Sequence, residues 1–96
     1  MNVKAAVKLA KEYVLDLFNE ENLTNLGLEE VDFDDRAGEW IVTLGFSRPW
    51  DEPRNTLASL AQASTPHRSY KIVRIDNTTE EVKMVKNREA PSEVPF

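Results

Sequence analysis

The apolar positions of the chain follow one rhythm near the N-terminus and a different one after Gly27. Between Val3 and Phe18 they recur at spacings of three and four, which predicts one amphipathic helix. After Gly27 apolar and polar residues alternate, most clearly from Glu39 to Ser47, which predicts strands. A helix with one apolar stripe needs a second layer to bury it, and the strands can supply that layer as a sheet. The predicted stripe comprises Val3, Ala6, Val7, Ala10, Tyr13, Val14, Leu17 and Phe18.

The second part of the chain divides into four predicted strands, at 28–34, 39–47, 69–76 and 81–87. Polar clusters at 35–38 and 76–79 are typical of turns, and Gly38 tolerates the positive φ that such turns require. Pro49 has no N–H to donate, so it has to follow the second strand. The predicted fold class is α+β, with one long N-terminal helix packed on a four-stranded antiparallel β-meander.

The length of 96 residues is sufficient for one small core and leaves little room for a deep cofactor cavity. We predict a single domain over 1–89 and a flexible C-terminal tail over 90–96, which contains two prolines. The segment 51–67 is long for a connection within a small domain, so it is expected to be either functional or disordered.

Composition and charge narrow the classes of function. Apolar residues make up 41% of the chain and no cysteine is present, which fits a soluble protein of a reducing compartment. No apolar run approaches the roughly 20 residues that cross a bilayer, and the N-terminus does not resemble a signal peptide. The net charge of −5 argues against a nucleic-acid binder. A cytoplasmic protein of bacterial type is therefore expected, with no membrane and no nucleic-acid partner.

Acidic residues are concentrated in the first predicted strand and the turn after it. Such a row is either the solvated edge of a sheet, where charge discourages aggregation, or a surface that attracts a basic protein partner. Because an exposed row stays ionised, it lacks the burial that would tune a carboxyl group for acid–base catalysis. The row comprises Glu29, Glu30, Asp32, Asp34 and Asp35.

The sequence contains no catalytic, metal or nucleotide-binding motif. His67 is the only histidine and follows a proline in a polar stretch, without further ligands at a metal-binding spacing. The three glycines are isolated, so they do not form a phosphate-binding loop. We therefore predict that the protein is not an enzyme and that it binds no cofactor or metal.

Two features indicate a protein-binding surface. Arg48 and Trp50 follow the second strand, where Trp50 is either a binding residue or a lid that caps the open end of the core. If the alternating residues of the second strand contact the helix, Ile41 and Thr43 must lie on the opposite face. Apolar residues on an uncovered face are typical of a partner, a dimer mate or a covering loop. The predicted protein-binding residues are Arg48, Trp50, Ile41, Thr43, Asp32 and Asp34.

Three segments, 40–43, 70–76 and 79–82, together resemble PepSY-like small domains of the cystatin-like group. In those domains a strand led by tryptophan precedes a Tyr-x-Val-x-x-Asp strand and a Thr-Gly-Glu-Val hairpin. This chain has Glu80 where the glycine of that hairpin is usual, and its central connection is longer. The resemblance covers most of the chain from Val3 to Val85. It implies a small non-catalytic domain, linked to peptidase regulation or to no known activity, and it transfers no catalytic residue.

The leading functional hypothesis is a non-enzymatic cytoplasmic domain that binds or inhibits a protein through the outer sheet face and the 48–67 loop. The partner is expected to be a basic protein surface or a second copy of the chain. One alternative is a cup that binds or transforms a small molecule, which normally needs more helices than this chain supplies. A second alternative is a toxin-immunity protein, because such proteins show a similar pattern of one helix and a sheet.

Overall fold

The computed structural model of the chain describes residues 1–48 and 68–88. Within these ranges α1 (Val3–Leu17) and a 3-10 turn (Asn19–Glu21) precede β1 (Thr24–Asp34), β2 (Glu39–Ser47), β3 (Ser69–Asp76) and β4 (Val82–Asn87). The strands form one antiparallel sheet in the order β1-β2-β3-β4. The predicted α+β fold with an N-terminal helix is therefore confirmed. The connection 51–67 and the tail 90–96 lie outside the described residues.

Local hydrogen bonds define both ends of α1. The side-chain oxygen of Asn2 accepts the N–H of Ala5 at 2.8 Å, which satisfies one of the open donors of the first turn. At the other end the N–H of Phe18 donates to the Val14 carbonyl at 3.0 Å. The chain then leaves the helical direction at Asn22, whose φ of 51° is left-handed.

The strand bounds agree best with the prediction where the alternation is regular. The bounds of β2 and β3 are those predicted, and β4 begins one residue later, at Val82. β1 begins at Thr24, four residues before the predicted start at Leu28. Two register irregularities interrupt its pairing with β2, and Asn25 has a positive φ of 55°. The first part of β1 does not alternate because of these irregularities, so its pattern could not reveal a strand.

The turn between β1 and β2 is held by one carboxylate. Asp34 Oδ1 accepts the N–H groups of Arg36 and Ala37, at 3.1 and 3.2 Å. Gly38 closes this turn with a φ of 68°, as its position predicted. The Gly38 carbonyl accepts the N–H of Asn77 at 3.0 Å, which joins this turn to the one between β3 and β4.

The turn between β3 and β4 has a similar carboxylate and a less favourable last residue. Asp76 Oδ1 accepts the N–H groups of Thr78 and Thr79, both at 2.8 Å. Glu80 then adopts a φ of 64°, a left-handed conformation that costs a residue with a Cβ atom about 1 kcal/mol or more. This is the position at which PepSY-like hairpins have glycine.

The core lies between α1 and the centre of the sheet. On the helix side it consists of Ala6, Ala10 and Val14, which are fully buried. Because two of these residues are alanines, the helix backbone approaches the sheet closely, over β1, β2 and β3. Trp40 borders this core, and its ring packs on Phe33 at 4.9 Å between centroids. The fully buried residues of the sheet are Val42, Leu44, Phe46, Val73 and Ile75.

The predicted apolar stripe of α1 is broader than the surface that the helix buries. Val3, Tyr13 and Leu17 were expected to contact the sheet, but 43%, 40% and 51% of their surface is exposed. The prediction was wrong for these three because the contact follows the line of Ala6, Ala10 and Val14. Residues at the margins of the stripe project beyond that narrow contact. The helix therefore presents apolar side chains to its surroundings.

Candidate interaction surface

The side of the sheet opposite α1, called the outer face here, can be identified from the strand register. Ile41 pairs with Arg74 and Thr43 with Ile72 between β2 and β3, and Arg74 pairs with Met84 between β3 and β4. Directly paired residues project to the same face of an antiparallel sheet. The outer face therefore holds Ile41, Thr43, Ile72, Arg74 and Met84. Val42 and its register partners on β1 and β3 lie on the helix side of the sheet.

Apolar side chains occupy the centre of the outer face. Ile41, Ile72 and Met84 are each half-buried, and we call these three residues the apolar strip. The predicted apolar surface on the side away from the helix is thus present. Thr43 lies on the same face but only 4% of its surface is exposed, since it is enclosed between Glu30 and Ile72 of the neighbouring strands. Its side chain is therefore not available for contact with a partner, contrary to the prediction.

At the end of the outer face near the turns, one arginine joins two carboxylates. Arg74 Nη2 lies 2.6 Å from Asp34 Oδ2, and Arg74 Nε lies 2.7 Å from Glu39 Oε1. The Ala37 N–H, together with the Arg74 guanidinium, lowers the pKa of Asp34 below its ordinary value. The two carboxylates, Glu39 first, raise the pKa of Arg74. This end of the face is a closed ionic network around Arg74.

At the other end of the outer face, charged side chains extend over a glycine. Arg68 Nη2 lies 3.5 Å from Glu29 Oε2, and this pair crosses β2 at Gly45. A Cβ atom at Gly45 would lie 2.8 Å from both of those atoms and 3.0 Å from the Tyr70 ring. The missing side chain therefore provides the space in which the ion pair rests on the sheet.

Arg88, the last described residue, also lies over the outer face and extends towards β1. Its guanidinium lies 4.8 Å from the centre of the Tyr70 ring, a cation–π contact. Arg88 Nη1 is also 3.9 Å from Glu30 Oε1, and the Glu30 side chain is 66% exposed. Glu30 is therefore only loosely held. Asp32, the next outward residue of β1, is exposed, and its carboxylate accepts the N–H of Phe33 at 2.8 Å.

The structure divides the six predicted protein-binding residues into separate environments. Asp32 and Ile41 share the outer face, where they are paired in register between β1 and β2. Asp34 is on the same face but is held by Arg74 and by the turn. Thr43 is on this face too but is buried. Arg48 does not join this group, and Trp50 lies outside the described residues.

Arg48 is bound to the helix side of the fold. Its Nε lies 2.6 Å from Glu21 Oε1 and its Nη1 donates to Ser69 Oγ at 2.7 Å. The guanidinium also lies over the Phe46 ring, 5.1 Å from its centre, and only 15% of the side chain is exposed. These contacts fasten the end of β2 to the segment after α1. In the described contacts Arg48 holds the fold together, whereas the sequence suggested a binding residue.

A second cation lies next to Arg48 at the same corner. Lys71 Nζ is 5.1 Å from the centre of the Phe18 ring and donates to Asn87 Oδ1 at 2.5 Å. Burial, and after it the positive charge of Arg48, lowers the pKa of Lys71. The corner where α1 meets the strand ends is therefore closed by two cations packed on aromatic rings.

The sequence did not predict a groove between α1 and β1, called the α1–β1 groove here. Its apolar surface comes from Val3 and Val7 of the helix and from Leu28 of β1, and its volume is about 530 Å³. Val3 and Leu28 are each 43% exposed. The sequence held one signal of the charged side of this groove, since the lysines of the helix recur at helical spacing on one flank. The lining residues are Val3, Lys4, Val7, Lys8, Lys11, Glu12 and Leu28.

Within residues 1–48 and 68–88, no group of three or more histidine, cysteine, aspartate or glutamate residues is arranged to hold a metal ion. His67, the only histidine of the sequence, lies outside these ranges. The described part of the chain also contains no helix of the length and apolarity needed to traverse a bilayer.

Comparison with known proteins gives no relative for this chain: no protein-family model, no curated protein and no solved structure matches it. The resemblance to PepSY-like domains therefore stays a prediction. The functional argument rests on the surfaces described above.

Proposed function

We propose that the protein is a non-enzymatic cytoplasmic domain that binds a basic, partly apolar surface of another protein through the outer face beside β1. The observation that carries this proposal is the position of exposed Asp32 beside half-buried Ile41, its register partner on β2. Such a combination offers a partner both apolar contact and a negative charge. Glu30, loosely held by Arg88, adds a second negative charge on the same strand.

The charges already paired on this face support a basic partner. Arg74 and Arg68 are each bound to carboxylates of the sheet, which leaves their charge largely neutralised within the fold. Near β1 the exposed carboxylates of Glu30 and Asp32 then dominate the field that an approaching molecule meets, because the exposed Lys86 of this face lies on β4, at the opposite edge of the sheet. Such a field speeds the encounter with a positively charged surface and weakens as salt concentration rises.

A photo-crosslinking comparison tests this proposal. A photoreactive amino acid is introduced in cells at Ile41 on the outer face or at Leu17 on α1, which is 51% exposed. We expect a discrete protein adduct, identified by mass, from position 41 and not from position 17. Asp32→Lys should abolish that adduct, while Asp16→Lys, the same substitution at an exposed residue of α1 outside the α1–β1 groove, should leave it intact.

Circular dichroism of both charge variants shows that each remains folded before crosslinking is compared. Adducts of equal yield from positions 41 and 17, or an adduct from 41 that Asp32→Lys does not reduce, would contradict the proposal. Absence of any adduct from position 41 would contradict it as well.

A further inference from the structure

The α1–β1 groove lies at the free edge of the sheet. β1 is the first strand in the sheet order, and within residues 1–48 and 68–88 no strand pairs with its other edge, which we call the free edge. Leu28 projects to the helix side, because its register partner Leu44 is fully buried in the core. Leu28 itself is 43% exposed and lines the groove with the flank of α1. The helix flank therefore extends over the edge where one more strand would lie.

Alternate residues of a strand at that edge would face two different environments. One set would point under α1, towards Val3, Val7 and Leu28, and would be surrounded mainly by apolar groups. The other set would point to the outer face, beside the exposed carboxylates of Glu30 and Asp32. The first environment favours apolar side chains and the second favours basic ones.

We propose that the free edge of β1 binds an extended segment of a partner as a fifth strand, with apolar side chains in the α1–β1 groove and basic side chains beside Glu30 and Asp32. This inference rests on the proposed function, and it adds the mode of binding and the chemistry of the bound segment. Addition of a strand to an exposed sheet edge is a common mode of peptide recognition, in which main-chain hydrogen bonds give affinity and side-chain pockets give specificity.

The lysines of the groove determine which side of the segment is basic. Three lysines and one glutamate, Glu12, lie along the helix flank, so a basic side chain that pointed under α1 would meet a net positive charge. A shift of the bound segment by one residue would exchange its two faces. That shift would place lysines or arginines in the groove and apolar groups beside the carboxylates. The register that places apolar side chains in the groove and basic side chains beside the carboxylates is therefore strongly favoured.

A second copy of the chain is a poor occupant of this edge. Pairing β1 with another β1 would set acidic rows against each other, because both strands carry Glu30, Asp32 and Asp34 on the outer face. Like charges directly opposite each other destabilise a strand pair. The same row that attracts a basic segment thus opposes self-association through the edge.

The test uses synthetic peptides with capped ends and isotope-labelled full-length protein. The first peptide alternates valine and lysine, the second has the same composition with all valines before all lysines, and the third alternates valine and glutamate. A fourth is the first peptide with alternate backbone nitrogens methylated on the edge that would face β1. Binding is followed by amide chemical shifts, and hydrogen exchange is measured for the β1 amides.

We expect the alternating valine–lysine peptide to bind at least tenfold more tightly than the block and glutamate peptides and to slow amide exchange in β1. Backbone methylation should weaken its binding about tenfold or more, since it removes several main-chain hydrogen bonds to β1 at once. Leu28→Ser should also weaken it several-fold through loss of apolar contact. Leu17→Ser, on the exposed surface of α1 away from the groove, should have no effect.

Two kinds of result would contradict binding of the segment as a fifth strand. If the peptide binds in a way that Asp32→Lys abolishes but that methylation and Leu28→Ser do not change, the outer face binds basic segments without strand addition. In that case the proposed function stands and this inference fails. If the alternating and block peptides bind equally, or neither binds, the edge does not select an extended alternating segment.

Discussion

The two faces of the sheet are built from the same four strands but are stabilised in different ways. On the helix side, Val42, Leu44 and Phe46 are fully buried, and the contact is apolar and non-directional. On the outer face the apolar strip is only half-buried and lies between ion pairs, such as Arg74 with Asp34 at 2.6 Å. The comparison teaches that apolar burial dominates the covered face, whereas ion pairs contribute to the packing of the outer face.

The first way to test this comparison is to create a cavity on the covered face. Leu44→Ala removes a fully buried side chain beneath α1, and we expect the free energy of unfolding to fall by about 2–5 kcal/mol. Leu17→Ala removes an equal number of atoms from a residue that is 51% exposed, so it should cost about 0.5 kcal/mol or less. Urea denaturation followed by circular dichroism measures both variants.

A small domain carrying Leu44→Ala can fall below the stability needed for a folded baseline. Ile75→Val, which removes one methylene group from the same core, provides a milder change of about 0.5–1.5 kcal/mol. Equal losses for the buried and the exposed leucine would show that the covered face is not the main source of stability.

The covered face could largely be predicted from sequence, because its residues are set by periodicity. Val42, Leu44 and Phe46 alternate with residues of the outer face, and Ala6, Ala10 and Val14 repeat at helical spacing. Periodicity alone does not give the width of the contact, which leaves Val3 and Leu17 exposed. The early start of β1 was missed because bulges break its alternation.

The outer face was harder to predict, since its chemistry depends on long-range pairs. Side chains that are far apart in the chain, such as Arg74 and Asp34, meet only once the register is fixed. Sequence placed Thr43 on the correct face but could not show that its neighbours bury it. For the same reason sequence could not show that Arg48, predicted as a protein-binding residue, contacts Glu21 and Ser69.

The second test removes Arg74, the arginine that joins two carboxylates on the outer face. Arg74→Met leaves Asp34 and Glu39 without their shared partner, and we expect a loss of about 1–3 kcal/mol in unfolding free energy at neutral pH. Arg88→Met removes the longer, more exposed contact of 3.9 Å to Glu30 together with the cation–π contact to Tyr70, and should cost about 1 kcal/mol or less. If the two variants lose equal unfolding free energy, the short ion pairs of Arg74 do not contribute more to stability than the longer contact of Arg88.

The pH dependence of Arg74→Met provides an additional readout. In the folded protein the pKa of Asp34 lies below its ordinary 3.8, so its stabilising contribution is complete above that value and is lost as pH falls through the lowered pKa. Loss of Arg74 should move this pKa back towards 3.8. The difference in unfolding free energy between wild type and variant should therefore narrow as pH falls below about 4. A constant difference across that range would contradict the role assigned to Arg74.

The smallest expected effect comes from the turn between β3 and β4, which contributes to neither face. Glu80 has a left-handed φ of 64°, so Glu80→Gly should raise the free energy of unfolding by about 0.5–1 kcal/mol. Thr78→Gly in the same turn is the control and should lower it, because Thr78 is not among the residues with a positive φ. Crosslinking from Ile41 and binding of the valine–lysine peptide should not change in Glu80→Gly, because Glu80 belongs to neither proposed binding surface. A loss of stability in Glu80→Gly would show that its side chain contributes more than its backbone conformation costs.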